Sequence, residues 1–143
     1  MDALANNIPP VAHAIQQAVA PVFLLTGIGS ILSVLAGRLG RVVDRYRLLN
    51  KMEGDALRQH HDEMRTLSQR ALWNHWAISL CTVSALCICL SIAALFIGAE
   101  LRADLSGTVA LLFVAAMLTL IGGLLCFLRE IALATGVIEV RKL

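Results

Sequence analysis

The chain has 143 residues, of which 58% are hydrophobic and 15% charged, and its formal net charge is +2. A mean hydropathy of +0.76 lies outside the range of soluble globular domains and fits a short chain mostly immersed in lipid. So small a positive excess gives no basic field for nucleic acid, and the basic residues are interleaved with Asp44, Glu53, Asp55, Asp62 and Glu63. Three apolar stretches dominate, at about residues 18–37, 73–98 and 107–128. Each is long enough for a bilayer core that needs ~20 apolar residues in helical form. The expected fold class is all-α: a single membrane domain over residues 1–143 with three transmembrane helices.

The chain opens without the basic n-region of a cleavable signal, so the first span is expected to be retained. Asn6-Asn7-Ile8-Pro9-Pro10 reads as a turn into a helix, because proline is tolerated in the first helical turn. Val11, Ile15 and Val19 then share a face, as an interfacial helix requires, and Pro21 predicts a kink by removing a hydrogen bond to the Gln17 carbonyl.

The first span carries the most information. At 100° per residue, Thr26, Gly29, Ser30, Ser33, Gly37, Gly40, Arg41, Asp44 and Lys51 fall on one side. Leu24, Ile28, Leu32, Leu35, Leu39, Val42, Tyr46 and Leu49 fall on the other, so one amphipathic helix is expected from Pro21 to about Met52. Glu53-Gly54-Asp55 supplies a turn, with glycine able to end one helix and aspartate to cap the next. Residues 38–72 therefore read as a helical hairpin whose return arm places Leu57, Met64, Ala71 and Leu72 together. Trp73 and Trp76 follow at the headgroup level.

The second span carries Ala77, Cys81, Ala85, Cys89 and Ala93 at i+4 spacing, and the third Ala115, Thr119, Gly122, Gly123 and Cys126. Both read as small-residue ridges that let helices approach closely. Cys81, Cys87, Cys89 and Cys126 all lie in the spans and lack a redox spacing, so they read as packing residues. Beyond Leu128 no proline intervenes, and the third helix is expected to project past the membrane, with Ile131, Ala134 and Ile138 against the hairpin.

Charge asymmetry sets an expected topology. Arg38, Arg41, Arg45, Arg47, Lys51, Arg58, Arg65 and Arg70 lie between the first two spans, and Arg129, Arg141 and Lys142 follow the third; the opposite side has Arg102 beside Glu100 and Asp104. Basic residues collect on the cytoplasmic side, which places the hairpin and the C-terminus inside and the N-terminus outside, with a bacterial inner membrane the default.

Arg38, Arg41, Arg70, Arg129 and Glu130 each flank the cytoplasmic end of a span and form an expected inner-boundary charge layer. A lone glutamate there would be costly, so Glu130 is expected to pair with one or more of the arginines, either as a structural ion pair with lipid headgroup contacts or as a charged constriction. The stripe Thr26, Gly29, Ser30, Ser33, Gly37, Arg41 and Asp44 has two readings: the lining of a water-filled path in a ring of protomers, or a tight helix–helix seam.

His60-His61-Asp62-Glu63 carries metal-ligating residue types, but adjacent histidines point about 100° apart and no second ligand set accompanies them, so a solvated helix surface is expected. Among the acids in or near the membrane, Asp44, Glu100 and Asp104 have no His or Cys at helix spacing and Glu130 is expected to be committed to arginine, while Thr26-Gly27-Ile28-Gly29-Ser30 lacks the lysine of a phosphate loop. The sequence points to no catalytic residue, no cofactor and no metal.

Arg38-Leu39-Gly40-Arg41-Val42-Val43-Asp44-Arg45, preceded by a Pro21-to-Ser33 span rich in small residues, resembles the prokaryotic membrane family catalogued as domain of unknown function 2721. The resemblance extends to Arg70 and to Phe127-Leu128-Arg129-Glu130, covering roughly Ile15 to Val140. It implies three membrane helices and a cytoplasmic helical segment, and assigns no activity. Two functions stand open: a homo-oligomeric pore for ions or small solutes lined by the first span, and a membrane-anchored scaffold whose cytoplasmic helices dock a protein or lipid partner.

Overall fold

The computed structural model describes residues 10–52, 54, 55, 58 and 60–140, with the backbone alone at 10 and 137–140. Three long helices account for nearly all of them: α1 (Pro10–Asn50), α2 (His61–Leu101) and α3 (Ser106–Val140). Each is long and apolar enough to cross a membrane. At 41 residues, α1 and α2 each extend ~61 Å at 1.5 Å per residue, about twice a ~30 Å hydrocarbon core. In α2 the surplus is mainly the charged stretch before Trp73; in α1 it is divided between turns near Pro10 that lack Asp, Glu, Lys and Arg and the charged turns from Arg38.

α1 passes through Pro21 as a continuous helix, so the segment before it is the first part of the same rod and not a separate interfacial helix. Its buried side is made of Ala14, Ala18 and Pro21, while Val11, Ile15 and Val19 are exposed. At the far end Gly54 adopts a left-handed φ of +80°, which glycine reaches without a Cβ penalty. Asp55 and Arg58 are helical, His60 lies in a turn, and the long return helix begins at His61; the expected position of Leu57 lies outside the described residues.

Burial follows a period that the small-residue ridges do not. The buried positions on α1 include Ile28, Leu35, Val42 and Leu49; those on α2 include Leu67, Asn74, Cys81 and Ile88, alternating with Ala77, Ser84 and Ser91. On α3 they include Ala116, Gly123 and Glu130. Each series repeats every seven residues, the 3.5-residue mean period of a coiled-coil seam. A strict i+4 ridge advances 40° per step around a helix, so Ala77 and Cys81 are buried while Cys89 and Ala93, farther along the same ridge, are exposed.

The helix contacts divide into two compact units, one joining α1 up to Ser30 with Val83–Thr119, the other joining Ile31–Thr82 with α3 from Leu120 onward. In the first unit Ser84 Oγ donates to the Ala116 carbonyl at 2.7 Å, a buried bond between α2 and α3. The α2–α3 turn closes with Arg102 left-handed at φ 50° and the Ala103 N–H donating to the Gly98 carbonyl at 3.1 Å, a Schellman-type stop. Asp104 then caps α3, accepting from the Ser106 hydroxyl and N–H; these two bonds, the hydroxyl foremost, hold its carboxyl below the ordinary 3.8.

In the second unit Val42, Leu49 and Leu67 form a core with Met64 and Ala71 against it. Leu72, expected on this face, is exposed instead, and Leu67 takes its place because i−4 and i+7 from Ala71 and Leu67 lead along the buried seam to Asn74. Farther along, α2 and α3 approach so closely that a Cβ on Gly123 would stand 2.8 Å from Cys81 Sγ and 3.2 Å from the Ala77 carbonyl oxygen. The backbone cannot yield as a side chain can. Gly123→Ala is expected to lower stability by ~1–3 kcal/mol in detergent unfolding, whereas Gly122→Ala, which meets only Leu80 Cδ1 at 3.4 Å, should be close to neutral.

Candidate functional site

Glu130 lies in the buried seam of α3, seven residues after Gly123, and its side chain is fully enclosed. An isolated carboxylate in such a position would carry a desolvation cost of several kcal/mol, so it requires cationic partners. Arg70 of α2 donates to Oε1 from both Nε and Nη2, at 3.2 and 2.9 Å. Arg38 of α1 places Nη2 2.9 Å from Oε2, an ion pair without the directed geometry of a hydrogen bond. One carboxylate thus ties α1, α2 and α3 together, and the pairing expected from sequence involves two of the arginines.

Aromatic rings complete the layer. The Arg38 guanidinium stands 5.3 Å above the Phe127 ring and that of Arg129 6.0 Å above Trp73, both within cation–π range. Arg41 is exposed and makes no described ion pair. Of the five residues assigned to the charge layer, Arg38, Arg70 and Glu130 meet directly, Arg129 joins through Trp73, and Arg41 stands outside. One turn along α2 from Arg70, the buried Asn74 donates Nδ2 to the Leu35 carbonyl of α1 at 3.2 Å, and its Oδ1 has no partner. Sequence reasoning passed over Asn74; a polar residue on the seven-residue line of Leu67 and Cys81 was the available signal.

The small-residue stripe of α1 is turned away from the packed seam. In the first unit Thr26, Gly29 and Ser30 are exposed; in the second, so are Ser33, Gly37, Arg41 and Asp44. Gly29, Gly37 and Gly40 have open space where a Cβ would stand, so no close approach within the protomer calls for glycine there. Within one chain the stripe is not a seam: α1 packs with its aliphatic side. Thr26 and Ser30 each donate back to the carbonyl four residues earlier, at 3.2 Å, leaving oxygen lone pairs outward.

Other polar groups divide: Ser91 Oγ is buried on α2 without a hydrogen-bond partner, whereas several exposed groups have local ones. Glu63, next to the paired histidines, accepts from Arg45 at 3.0 Å, and among the described residues no group of three His, Cys, Asp or Glu side chains gathers as a metal site. In the first unit a cleft of about 250 Å³ lies between the start of α1 and the α2–α3 turn, where Gln17 and His13 hydrogen-bond at 3.0 Å. Asp104, also in its wall, is committed to Ser106.

Removing the enclosed carboxylate leaves two partly buried guanidiniums facing each other. Glu130→Ala is expected to cost ~3–5 kcal/mol of stability, while Arg38→Ala or Arg70→Ala should cost less, since the other arginine remains. Denaturant titrations of the three variants in the same detergent check the order.

No curated protein and no solved structure matches the chain. A family model does match, over residues 18–140, and this span includes α1 from Ala18, the whole of α2, and α3 with its arginine–glutamate layer. The chain therefore belongs to the family described as protein of unknown function (DUF2721).

Proposed function

We propose that the protein is a homo-oligomeric membrane pore for ions or small solutes, with the α1 stripe as its lining. The observation that carries this reading is the allocation of α1's two sides: Ile28, Leu35, Val42 and Leu49 are consumed by packing, and Thr26, Gly29, Ser30, Ser33 and Gly37 are left exposed. In a bilayer, three helices shield little interior, and a face of small and hydroxyl groups gains contact or hydration only through other copies. Hydroxyls that donate along their own helix offer acceptor lone pairs outward, a lining suited to replacing part of a cation's hydration. Arg41 and Asp44 continue the line as a charged vestibule.

The orientation follows from basic residues: the segments from Arg38 and up to Arg70, together with the end of α3, lie in the cytoplasm as a helical hairpin and its companion, and the N-terminus outside. A bacterial inner membrane is the setting this implies. The reading requires no catalytic residue and no cofactor.

Purified protein in liposomes should carry a cation flux, and Ser30→Leu with Ser33→Leu should reduce it by at least about tenfold by narrowing and dehydrating the path. Absence of flux from an oligomer verified by cross-linking overturns the pore.

A second reading, a membrane-anchored scaffold, is favoured by Tyr46, Leu48 and Leu72, exposed apolar side chains on the charged parts of α1 and α2. Their exposure suits an amphipathic partner helix. Here a stoichiometric partner should co-purify and be lost on Leu48→Asp or Asp55→Lys, with no flux in either case.

A further inference from the structure

Three helices change from apolar to charged at one level: α1 at Arg38, α2 at Arg70 and α3 at Arg129. The contacts of Glu130 show that these changes coincide in space, since one carboxylate touches both Arg38 and Arg70. The charges at this level do not balance. Three guanidiniums stand at this level with the single Glu130 carboxylate: those of Arg38 and Arg70, which touch it, and that of the neighbouring Arg129, which lies over Trp73.

Glu130 also leaves donors unused. Arg70 commits Nε and Nη2 to it, and Arg38 only Nη2, while their side chains stay 24% and 28% exposed. Arg129 is exposed over Trp73, a residue type that settles at the headgroup level. Planar guanidiniums with free forks match phosphate oxygens in pairs.

We infer that this layer binds the phosphate of an anionic phospholipid in the adjoining leaflet, with Arg129 as the outer contact and the half-neutralised Arg38–Glu130–Arg70 group as its floor. The inference rests on the membrane reading above but not on the pore. Glu130 has a second role in it: by occupying part of two arginines it limits how strongly the layer holds a lipid.

Full-length protein is reconstituted into vesicles of phosphatidylcholine with a minor share of phosphatidylglycerol, then extracted, and the retained lipid is read by native mass spectrometry. Phosphatidylglycerol should be enriched over its bulk fraction. Arg129→Gln, which leaves the buried group intact, should reduce the enrichment by about 5-fold, the equivalent of ~1 kcal/mol for a basic residue near an anionic surface. Glu130→Gln, where it folds, should raise it.

Equal retention of the two lipids, or enrichment unchanged by Arg129→Gln, overturns the inference. Loss of enrichment on adding inorganic phosphate assigns the site to free anions and overturns the lipid assignment. The membrane reading fails separately, if the protein does not float with phosphatidylcholine vesicles at all.

Discussion

A carboxylate with no exposed surface can persist only where positive charge reaches it, and in this protein that demand falls on two helices at once. Arg38 and Arg70 meet Glu130 from α1 and α2 while the carboxylate itself rides on α3. Apolar packing alone would tolerate a slip of one helix along another, because leucine, alanine and cysteine present much the same surface from one turn to the next. An ion pair at 2.9 Å tolerates no such slip. The charged group therefore selects the register in which Val42, Leu49 and Leu67 form a core and Gly123 meets Cys81.

Glycine has two different meanings on these helices. At Gly123 a neighbouring backbone occupies the space a methyl would need, so the residue is dictated by contact. At Gly29, Gly37 and Gly40 the space is open, so their place on one line with Thr26, Ser30 and Ser33 has no explanation inside the protomer. This contrast is what directs attention to other copies of the chain, because small side chains are the means by which membrane helices come together.

Helix identity was legible because apolar runs of this length favour helix, but the start of α1 at Pro10 was not, since a proline at position 21 reads as a break; the loneliness of Glu130 among apolar residues pointed to its arginines. Which residues of a ridge are buried was not legible from spacing by fours. The error accumulates by 40° per step, so Ala77 and Cys81 were placed correctly and Cys89 and Ala93 were not. The same drift exchanged Leu72 for Leu67. Asn74 was overlooked because its role depends on a carbonyl of another helix, and no pattern within α2 reveals where the Leu35 oxygen will be.

That amide has a mechanical corollary. Asn74 reaches across to the main chain of α1, not to a side chain, so the bond registers axial position whatever rotamers surround it. Together with Arg38 and Arg70 acting through Glu130, it works as a clutch that keeps α1 and α2 from pistoning past one another in this unit. A rearrangement of this unit would therefore carry these segments as one block, and its compliance would have to come from bending where no such fastening is made.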